Sequence, residues 1–348
     1  MIFCGDVAYP DASIRIDIPD ELHQKNWLVN LEGSLIEASQ VDEMHTQNRV
    51  FNNVDAIKQL SKQLNIKVCS LANNHIEDCN TVDNTVKNLE HIGLEYVGGG
   101  INLKEAEKPV VVADEGLTVL SFGWDVIKCP LATENKSGVN PYKREHVIAK
   151  VKKNLRWAGN LVCFFHWGYE LEAYPLPYDR ELAHTLIDMG VKAVIGCHAH
   201  RVQQIEFYKG YPIVYGLGNF LFTHSYYWDG RLKFPEFTKK ELAFEVTPDG
   251  NFVAHWFEYD IAGRQLQYIK SEEVKAGMTS FDGRAEYENL SHKEYDRFFK
   301  SNRYHKKLIP IYKSDESIIS YAAKSWFVKY RGKLIDMLVK MNIKAKKR

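Results

Sequence analysis

Residues that could bind metal or transfer protons follow a short apolar run at 66–70, which predicts a buried strand. The segment beyond it reads Ser70-Leu71-Ala72-Asn73-Asn74-His75-Ile76-Glu77-Asp78. In an α/β protein, ligands bind in the crevice beyond the carboxyl ends of parallel strands. Asn-Asn-His-x-x-Asp at such a place could supply a metal ligand, a proton donor and the acid that orients it. Alternatively, Asn73 and Asn74 cap the next helix, as Asn often does.

Acids or imidazoles also follow four other apolar runs, and these residues are Asp6, Glu32, His166, His198 and His200. If the runs are parallel strands, all of these side chains open onto one edge of one sheet. Carboxylate oxygen and imidazole nitrogen suit Zn, Mn, Fe or Mg. A carboxylate that bridges two such ions belongs to hydrolytic sites, where the ions generate hydroxide near neutral pH. Singly, each residue is equally typical of a cap, a turn or a satisfied buried histidine, so the combination carries the prediction.

The elements that position these residues alternate between strands and helices. Apolar spacing of three and four predicts helices near 54–64, 82–92, 146–155 and 179–189, between the strand-like runs. This alternation indicates a parallel or mixed sheet covered by helices on both faces. The runs 241–247 and 252–260 predict a hairpin that turns at Pro248-Asp249-Gly250-Asn251. We therefore expect a main domain at 1–265 and a helical, basic extension at 266–348.

Composition excludes several classes of protein. The 348 residues are 45% hydrophobic with a formal net charge of zero, which gives no reason to expect a nucleic-acid partner. Six cysteines are scattered without a CxxC pair, which favours a reducing compartment. We see neither a secretory signal pattern nor an apolar run of the length of a membrane span. We therefore expect a cytoplasmic protein.

The C-terminal segment is different in charge. Residues 316–348 hold nine lysines and arginines against Glu316 and Asp336, a local net charge of +7. Together with Trp326, Phe327 and Tyr330, this pattern is typical of a basic amphipathic helix lying on an anionic surface, here the inner membrane. The alternative is a helix packed on the main domain with its lysines in solvent. The sequence leaves both open.

Six motifs resemble, in order, those of the CapA family of bacterial capsule and poly-γ-glutamate synthesis proteins, over about residues 1–260. They are Gly5-Asp6, Asn30-Leu31-Glu32, Leu71-Ala72-Asn73-Asn74-His75-x-x-Asp78, His166-Trp167-Gly168-x-Glu170, Gly196-x-His198-x-His200 and Gly218-Asn219-Phe220. The fold of that family is similar to calcineurin-like metallophosphoesterases. The resemblance implies an α/β protein, a four-layer α/β sandwich, here with a small helical C-terminal extension.

The resemblance also implies a role for each residue. Asp6, Glu32 and His200 would hold one ion, with Glu32 bridging, and Asn74, His166 and His198 would hold the second. His75 would be the general acid, with Asp78 orienting its imidazole. Supporting or substrate-contacting roles fall to Asn73, Glu170 and Asn219.

This chain departs from the pattern in two places. Ala8 stands where phosphoesterases carry a histidine, which leaves one ion with fewer ligands, and Ala199 stands where the family commonly has proline. Cys197 is interpreted as a packed thiol rather than a soft metal ligand.

The functional prediction is a hydrolase with two divalent ions (Mn, Zn, Fe or Mg) that cleaves a phosphoester by metal-bound hydroxide. Its substrate would be a capsule-type polymer or a phosphorylated glycan. Two alternatives stay open. One is an amide hydrolase acting on a γ-glutamyl or peptidoglycan-like polymer. The other is a non-catalytic polymer-binding or assembly factor, which Ala8 favours.

Overall fold

In the computed structural model, the described residues are 1–47, 49–157, 159–223, 234–247, 249–260, 264–305 and 308–341. Their strands are β1 (Ile2–Ala8), β2 (Arg15–Asp17), β3 (Trp27–Leu31), β4 (Ser34–Ile36), β5 (Phe51–Asn53), β6 (Ile66–Ser70), β7 (Glu95–Val97), β8 (Gly99–Gly100), β9 (Val110–Val112), β10 (Leu117–Gly123), β11 (Gly138–Val139), β12 (Asn160–His166), β13 (Ala193–Cys197), β14 (Ile205–Tyr208), β15 (Tyr211–Val214), β16 (Asn219–Phe222), β17 (Lys240–Val246), β18 (Phe252–Asp260) and β19 (Gln265–Val274). Their α-helices are α1 (Asp20–His23), α2 (Val41–Thr46), α3 (Val54–Leu64), α4 (Val82–Ile92), α5 (Leu103–Ala106), α6 (Arg144–Asn154), α7 (Pro177–Met189), α8 (His292–Asn302) and α9 (Ile318–Lys340).

The larger sheet has the strand order β2-β19-β18-β17-β1-β3-β6-β7, and β16 also pairs with β1. Strands β1, β3, β6 and β7 run parallel to one another. The predicted hairpin is present, since β17 and β18 pair antiparallel with Val246 opposite Phe252. One residue of its predicted turn, Pro248, lies outside the described residues.

Strand β19 extends this sheet beyond the boundary expected at residue 265. It pairs with β18 over its whole length, and its ends bury Leu266 and Val274. The segment after 265 therefore begins as a strand of the main sheet, and helices follow only from residue 292. Because polar residues lie between the buried ends, apolar periodicity did not predict this strand.

The smaller sheet has the order β14-β15-β13-β12-β10-β9, with β10, β12, β13 and β15 parallel. The two sheets pack face to face through an apolar layer that includes Phe3, Val119, Phe164 and Leu242. Helices α3 and α4 cover the outer face of the larger sheet, and α6, α7 and α8 cover the smaller one. The predicted four-layer α/β sandwich is confirmed.

The C-terminal helices add to the layer outside the smaller sheet. Ser291 and Glu294 form a capping box that begins α8, within the extension expected to be helical. Helix α9 follows and packs Tyr321 and Val328 against the same apolar cluster. Among the described residues, no helix combines the length and the apolar character needed to cross a membrane.

Candidate metal centre

The predicted ligands come from strands of both sheets, so the expectation of a single sheet edge is wrong. Asp6, Glu32 and Asn74 follow or end the adjacent parallel strands β1, β3 and β6, whereas His166 and His198 come from β12 and β13. Strand order within one sheet cannot explain their meeting. The face-to-face packing of the two sheets brings their strand ends to a common crevice.

The first group of donors is Asp6, Glu32 and His200, which we call the first trio. One ligand atom from each lies within 4.8 Å of the others. The Nδ1 of His200 lies 3.2 Å from Oδ2 of Asp6, and its Nε2 lies 4.0 Å from Oε1 of Glu32. Both carboxylates are fully buried. The residues expected to hold one ion are therefore adjacent.

The second group is Asn74, His166 and His198, the second trio. The Nε2 of His166 lies 2.7 Å from Oδ1 of Asn74 and 3.1 Å from Nδ1 of His198. The Oδ1 of Asn74 and the Nδ1 of His198 thus both lie within hydrogen-bond distance of the same ring nitrogen. The residues expected to hold the other ion are also brought together.

Asn30 joins the two trios and was not assigned a role from the sequence. Its Nδ2 donates to Oδ1 of Asp6 at 2.7 Å and lies 3.3 Å from Nδ1 of His166. The same ring nitrogen lies 3.2 Å from the Sγ of Cys197. The sequence did contain a sign of this role. Asn30 is the one amide in the apolar strand β3, and it lies two residues before Glu32, hence on the same side of the strand.

Cys197 belongs to a second possible ligand group, with Asp6 and His166, whose atoms lie within 4.8 Å of one another. Its thiol donates to the carbonyl oxygen of Phe165 at 3.3 Å. Burial, and then the charges of Asp6 and Glu32, raise the pKa of this thiol well above its usual value. The geometry therefore describes a packed, protonated thiol beside the trios.

The electrostatics of the first trio show an excess of buried negative charge. Burial and the charge of Asp6 raise the pKa of the Glu32 carboxyl. Burial also opposes ionisation of Asp6, but the hydrogen bond and charge of His200 lower its pKa below the usual value. Although burial disfavours a charged imidazole, Glu32 and Asp6 raise the pKa of His200 to about 9. The two neighbouring acids thus favour a proton on His200.

Glu32 provides the test of whether a metal ion fits. Its side chain is 0% exposed, and no described residue donates a hydrogen bond to either carboxylate oxygen. The ring nitrogens of His75 and His200 lie 3.9 and 4.0 Å away, beyond hydrogen-bond distance. A buried charged group without a partner is costly, and the usual solutions are an ion pair or a metal. Two carboxylates and imidazole nitrogens suit a borderline or hard divalent cation. The residues present therefore fit such an ion.

His75 and Asp78 form a pair beside the first trio. The Nδ1 of His75 lies 2.9 Å from Oδ2 of Asp78, and its Nε2 lies 3.9 Å from Oε1 of Glu32. Burial disfavours the Asp78 carboxylate, but the charge and hydrogen bond of His75 outweigh burial and lower its pKa. The backbone N–H of Val50 donates to the same carboxylate oxygen at 3.1 Å. Asp78 therefore holds one ring nitrogen, which leaves the other directed towards Glu32.

Asn73 and Asn74 do not cap the following helix, because α4 begins at Val82 with Thr81 before it. Instead, the Oδ1 of Asn73 accepts from the backbone N–H of Gly33 and of His75. Its Nδ2 donates to the carbonyl of Leu31 at 2.8 Å. Asn73 thus ties the segment after β6 to the segment after β3, which positions the donors on both.

Backbone conformation supports the histidine loop. His198 and His200 have φ values of +91° and +50°, a region that few residues other than glycine adopt. Such strain persists where the surroundings hold it, and it is concentrated at functional sites. At Gly5, beside Asp6, a Cβ atom would lie 2.0 Å from the carbonyl oxygen of Gly218. Only glycine allows this approach of the two segments.

Three other residues from the sequence have defined positions. The Oδ1 of Asn219 lies 2.8 Å from Nδ1 of His200, so it orients that ring. The carbonyl of Glu170 accepts from Nε2 of His305 at 2.6 Å, and its carboxylate charge acts on His198. Ala8 is buried in a small apolar cluster with Val50 and Phe222, so position 8 contributes packing and no ligand.

Comparison with known proteins places this site in a family. Residues 9–224 match the family model "Bacterial capsule synthesis protein PGA_cap". The PGA biosynthesis protein CapA of Bacillus subtilis is 31% identical over 189 residues, covering 53% of this chain and 48% of that protein. The capsule biosynthesis protein CapA of Bacillus anthracis is 31% identical over 173 residues, covering 47% and 42%. The chain thus matches about half the length of these curated relatives.

Among solved structures, a 5'-nucleotidase precursor from Thermus thermophilus aligns with a TM-score of 0.39 and 11% identity, covering 79% of this chain and 54% of that one. The family match is the decisive comparison, because it spans more than half of the chain and includes every proposed donor except Asp6. The chain therefore belongs to the bacterial capsule synthesis (PGA_cap) family, the CapA family whose motifs it carries in order.

Proposed function

We propose that this protein is a divalent-metal-dependent hydrolase that cleaves a phosphoester in a phosphorylated glycan of the capsule type or in a phosphorylated precursor of a capsule or poly-glutamate polymer. The observation that carries the proposal is the buried Glu32 carboxylate, which faces His75 and His200 and accepts no hydrogen bond from the part of the chain that the structure describes. A protein that only bound a polymer would gain nothing from this costly arrangement. The names of the Bacillus relatives support the class of substrate.

The first trio would hold one ion and the second trio a second one. Bound divalent ions would polarise a phosphoryl oxygen and lower the pKa of a water molecule. Asn30 fixes Asp6 through its amide, and Asn219 fixes the ring of His200. Such supporting contacts keep ligands in their orientation and tautomer.

His75 is the proposed general acid. Its Nδ1 is engaged by Asp78, so its Nε2 is the nitrogen free to give a proton to the leaving oxygen on the Glu32 side of the crevice. A carboxylate behind an imidazole fixes the tautomer and stabilises the protonated ring. General acid catalysis by such a side chain contributes about 10²- to 10⁴-fold in rate.

The test compares phosphodiesters whose leaving groups differ in acidity, using protein reconstituted with Mn²⁺. His166→Ala should abolish hydrolysis of both bis(p-nitrophenyl) phosphate and diphenyl phosphate, because it removes the centre of the second trio. His75→Ala should lower the diphenyl phosphate rate by about 10²-fold or more. It should affect the nitrophenyl ester less, since nitrophenolate leaves without a proton, whereas phenol has a pKa near 10 as in tyrosine.

His91→Ala is the matched control, because His91 is exposed at the end of α4 and should leave both rates unchanged. Equal activity of wild type and His75→Ala on both esters would show that the role given to His75 is wrong. Hydrolysis of a γ-glutamyl peptide, without any on the phosphodiesters, would replace the phosphoester by the amide. If neither bond is cleaved with the metal bound, the protein is a polymer-binding factor.

A further inference from the structure

Helix α9 has two opposed apolar faces, and only one of them is covered. On the covered face, the hydroxyl of Tyr321 accepts from Nε1 of Trp124 at 2.7 Å, and Ser325 and Val328 pack beside it. Lys329 forms an ion pair with Asp125 at the edge of this contact. The helix is thus fixed to the body of the protein along one side.

The opposite face carries an exposed apolar row that we call the α9 stripe, made of Ile319, Trp326, Tyr330, Leu334, Met337 and Met341. At 100° per residue, these six positions fall within an arc of about 80°. Their side chains are 42–84% exposed. The rings of Trp326 and Tyr330 stack with centroids 5.3 Å apart. Contiguous exposed apolar surface of this kind marks an interaction site.

Basic residues flank the α9 stripe on both sides. On the helical wheel, Lys329 and Lys333 lie next to one edge of the stripe, and Arg331 and Lys324 lie beyond the other. Lys329 pairs with Asp125 and Lys324 with Glu316, so Lys333 and Arg331 carry the charge argument, one on each side. An apolar face with Trp and Tyr between two basic rows is the pattern of a helix that lies in the interface of an anionic bilayer. The structure bears out the prediction that this helix packs on the main domain, through one of its faces. The prediction of membrane contact remains a prediction, and it concerns the opposite face, which is open to solvent.

We propose that the α9 stripe binds the surface of an anionic lipid bilayer. A second copy of the chain is a weaker occupant, because a two-fold pairing of the stripe would bring basic rows of the two copies together. Anionic headgroups instead neutralise both rows, and each Lys or Arg near such a surface adds about fivefold to the partition coefficient.

Membrane binding by α9 would also place the metal centre near the bilayer. Trp124, which holds Tyr321, directly follows β10, and its backbone N–H donates to the carbonyl of His166 at 3.1 Å. Gly123 lies opposite His166 in the parallel pairing of β10 with β12. Trp124, on which α9 packs, is therefore one residue from Gly123, which lies opposite His166 of the second trio. This inference does not depend on whether the protein hydrolyses anything.

The experiment is flotation of the full chain with vesicles of phosphatidylcholine alone or with about 30% phosphatidylglycerol. Wild type should float with the anionic vesicles, and the double variant Trp326→Ser/Met337→Ser should bind at least tenfold less. Arg331→Gln/Lys333→Gln should lose about 30-fold, at fivefold per charge. Trp157→Ser is the matched control, since Trp157 is 88% exposed but lies outside α9, and it should float like wild type.

A second readout needs no assumption about the folding of the variants. Brominated lipid should quench part of the wild-type tryptophan fluorescence, and this quenching should persist in Trp157→Ser and vanish in Trp326→Ser. Equal flotation on neutral and anionic vesicles by wild type and both double variants would overturn the proposal. So would a wild-type dimer that Trp326→Ser/Met337→Ser converts to a monomer without any binding to vesicles.

Discussion

Glu32→Gln tests how the buried acids affect stability in the metal-free protein and in the metal-bound protein. The ligand oxygens of Asp6 and Glu32 lie within 4.8 Å of each other. Two unit charges at that distance repel by about 3 kcal/mol at an effective dielectric constant of 20. Protonated His200 offsets part of this repulsion. Because the pKa of Glu32 is raised, a proton on its carboxyl relieves the same repulsion at lower pH. In metal-free protein, we therefore expect Glu32→Gln to raise the free energy of unfolding by up to about 3 kcal/mol, and by more as the pH rises.

With metal, the same substitution should have the opposite consequence. An ion present at 100 times its dissociation constant adds about 2.7 kcal/mol to the stability of the wild type. For 348 residues at about 2.1 cal/mol/K of unfolding entropy each, 1 kcal/mol corresponds to about 1.4 °C in Tm. Wild type should therefore gain about 4 °C on addition of Mn²⁺, and Glu32→Gln should gain almost nothing.

The assay is scanning calorimetry of chelator-treated protein with and without Mn²⁺, and Glu241→Gln is the matched control. Glu241 is as buried as Glu32, and burial together with the charge of Asp6 raises the pKa of its carboxyl. It is not among the grouped ligand atoms of the first trio. Glu241→Gln should therefore raise the metal-free Tm in the same way but keep the shift of about 4 °C.

Two results would refute this reasoning. A full metal shift in Glu32→Gln would mean that the ion does not bind to the first trio. If neither variant has a higher Tm than the wild type in the absence of metal, the buried carboxylates do not destabilise the protein as their geometry indicates.

Two further predictions concern stability. The Asp179 carboxyl, buried and bonded to the hydroxyl of Tyr142, has a pKa raised by burial from 3.8 to about 7. Its stabilising contribution is therefore present below pH 3.8 and is lost as pH rises through 7. The free energy of unfolding of the wild type should thus fall by up to about 4 kcal/mol between pH 4 and pH 8 on account of this group, and Asp179→Asn should remove that fall. Urea unfolding of both proteins at these two pH values measures this, and an equal decline in both would contradict it. Gly5→Ala should cost about 3 kcal/mol in the same assay because its Cβ meets the backbone of Gly218, whereas Gly159→Ala, which meets nothing within 4 Å, should cost less than about 0.5 kcal/mol.

The sequence predicted the parallel strands and the residues at their carboxyl ends for a physical reason. Strands buried on both faces appear as short apolar runs, so a polar residue directly after such a run marks a strand end. His166 and Glu32 stand at such positions, and the structure places each in a trio. The order of the motifs along the chain predicted the family, and the family model that matches residues 9–224 confirms it.

The rest of the fold depends on contacts that periodicity does not record. Nothing in an apolar run says which of two sheets it joins, so the convergence of β3 and β12 from different sheets was missed. Strand β16 enters the larger sheet beside β1 with Asn219 opposite Asp6, a pairing between residues 213 positions apart. Asn30 acquires its role only when the strand ends meet, since it contacts Asp6 from the neighbouring strand and His166 from the other sheet.

The two trios differ in charge, and this difference bears on the choice of bond. The first trio holds two carboxylates, so it attracts a divalent ion by itself. The second trio holds an amide and two imidazoles, and burial lowers the pKa of His166 and brings that of His198 to about 3, so it is neutral at pH 7. Ala8 supplies no further ligand.

Apart from its share of a bridging Glu32, an ion at the second trio would therefore be held by dipoles alone until another anion arrives. The phosphoryl group of a phosphoester supplies such a charge, whereas a neutral amide does not. The second ion would then be held tightly only while the substrate phosphoryl group is bound. Interactions that form only with the bound substrate or its transition state are the ones that favour catalysis. For the hydrolase proposed above, this asymmetry favours a phosphoester over an amide as the substrate bond. It also makes the first trio, and Glu32 within it, the part of the site on which resident metal binding depends.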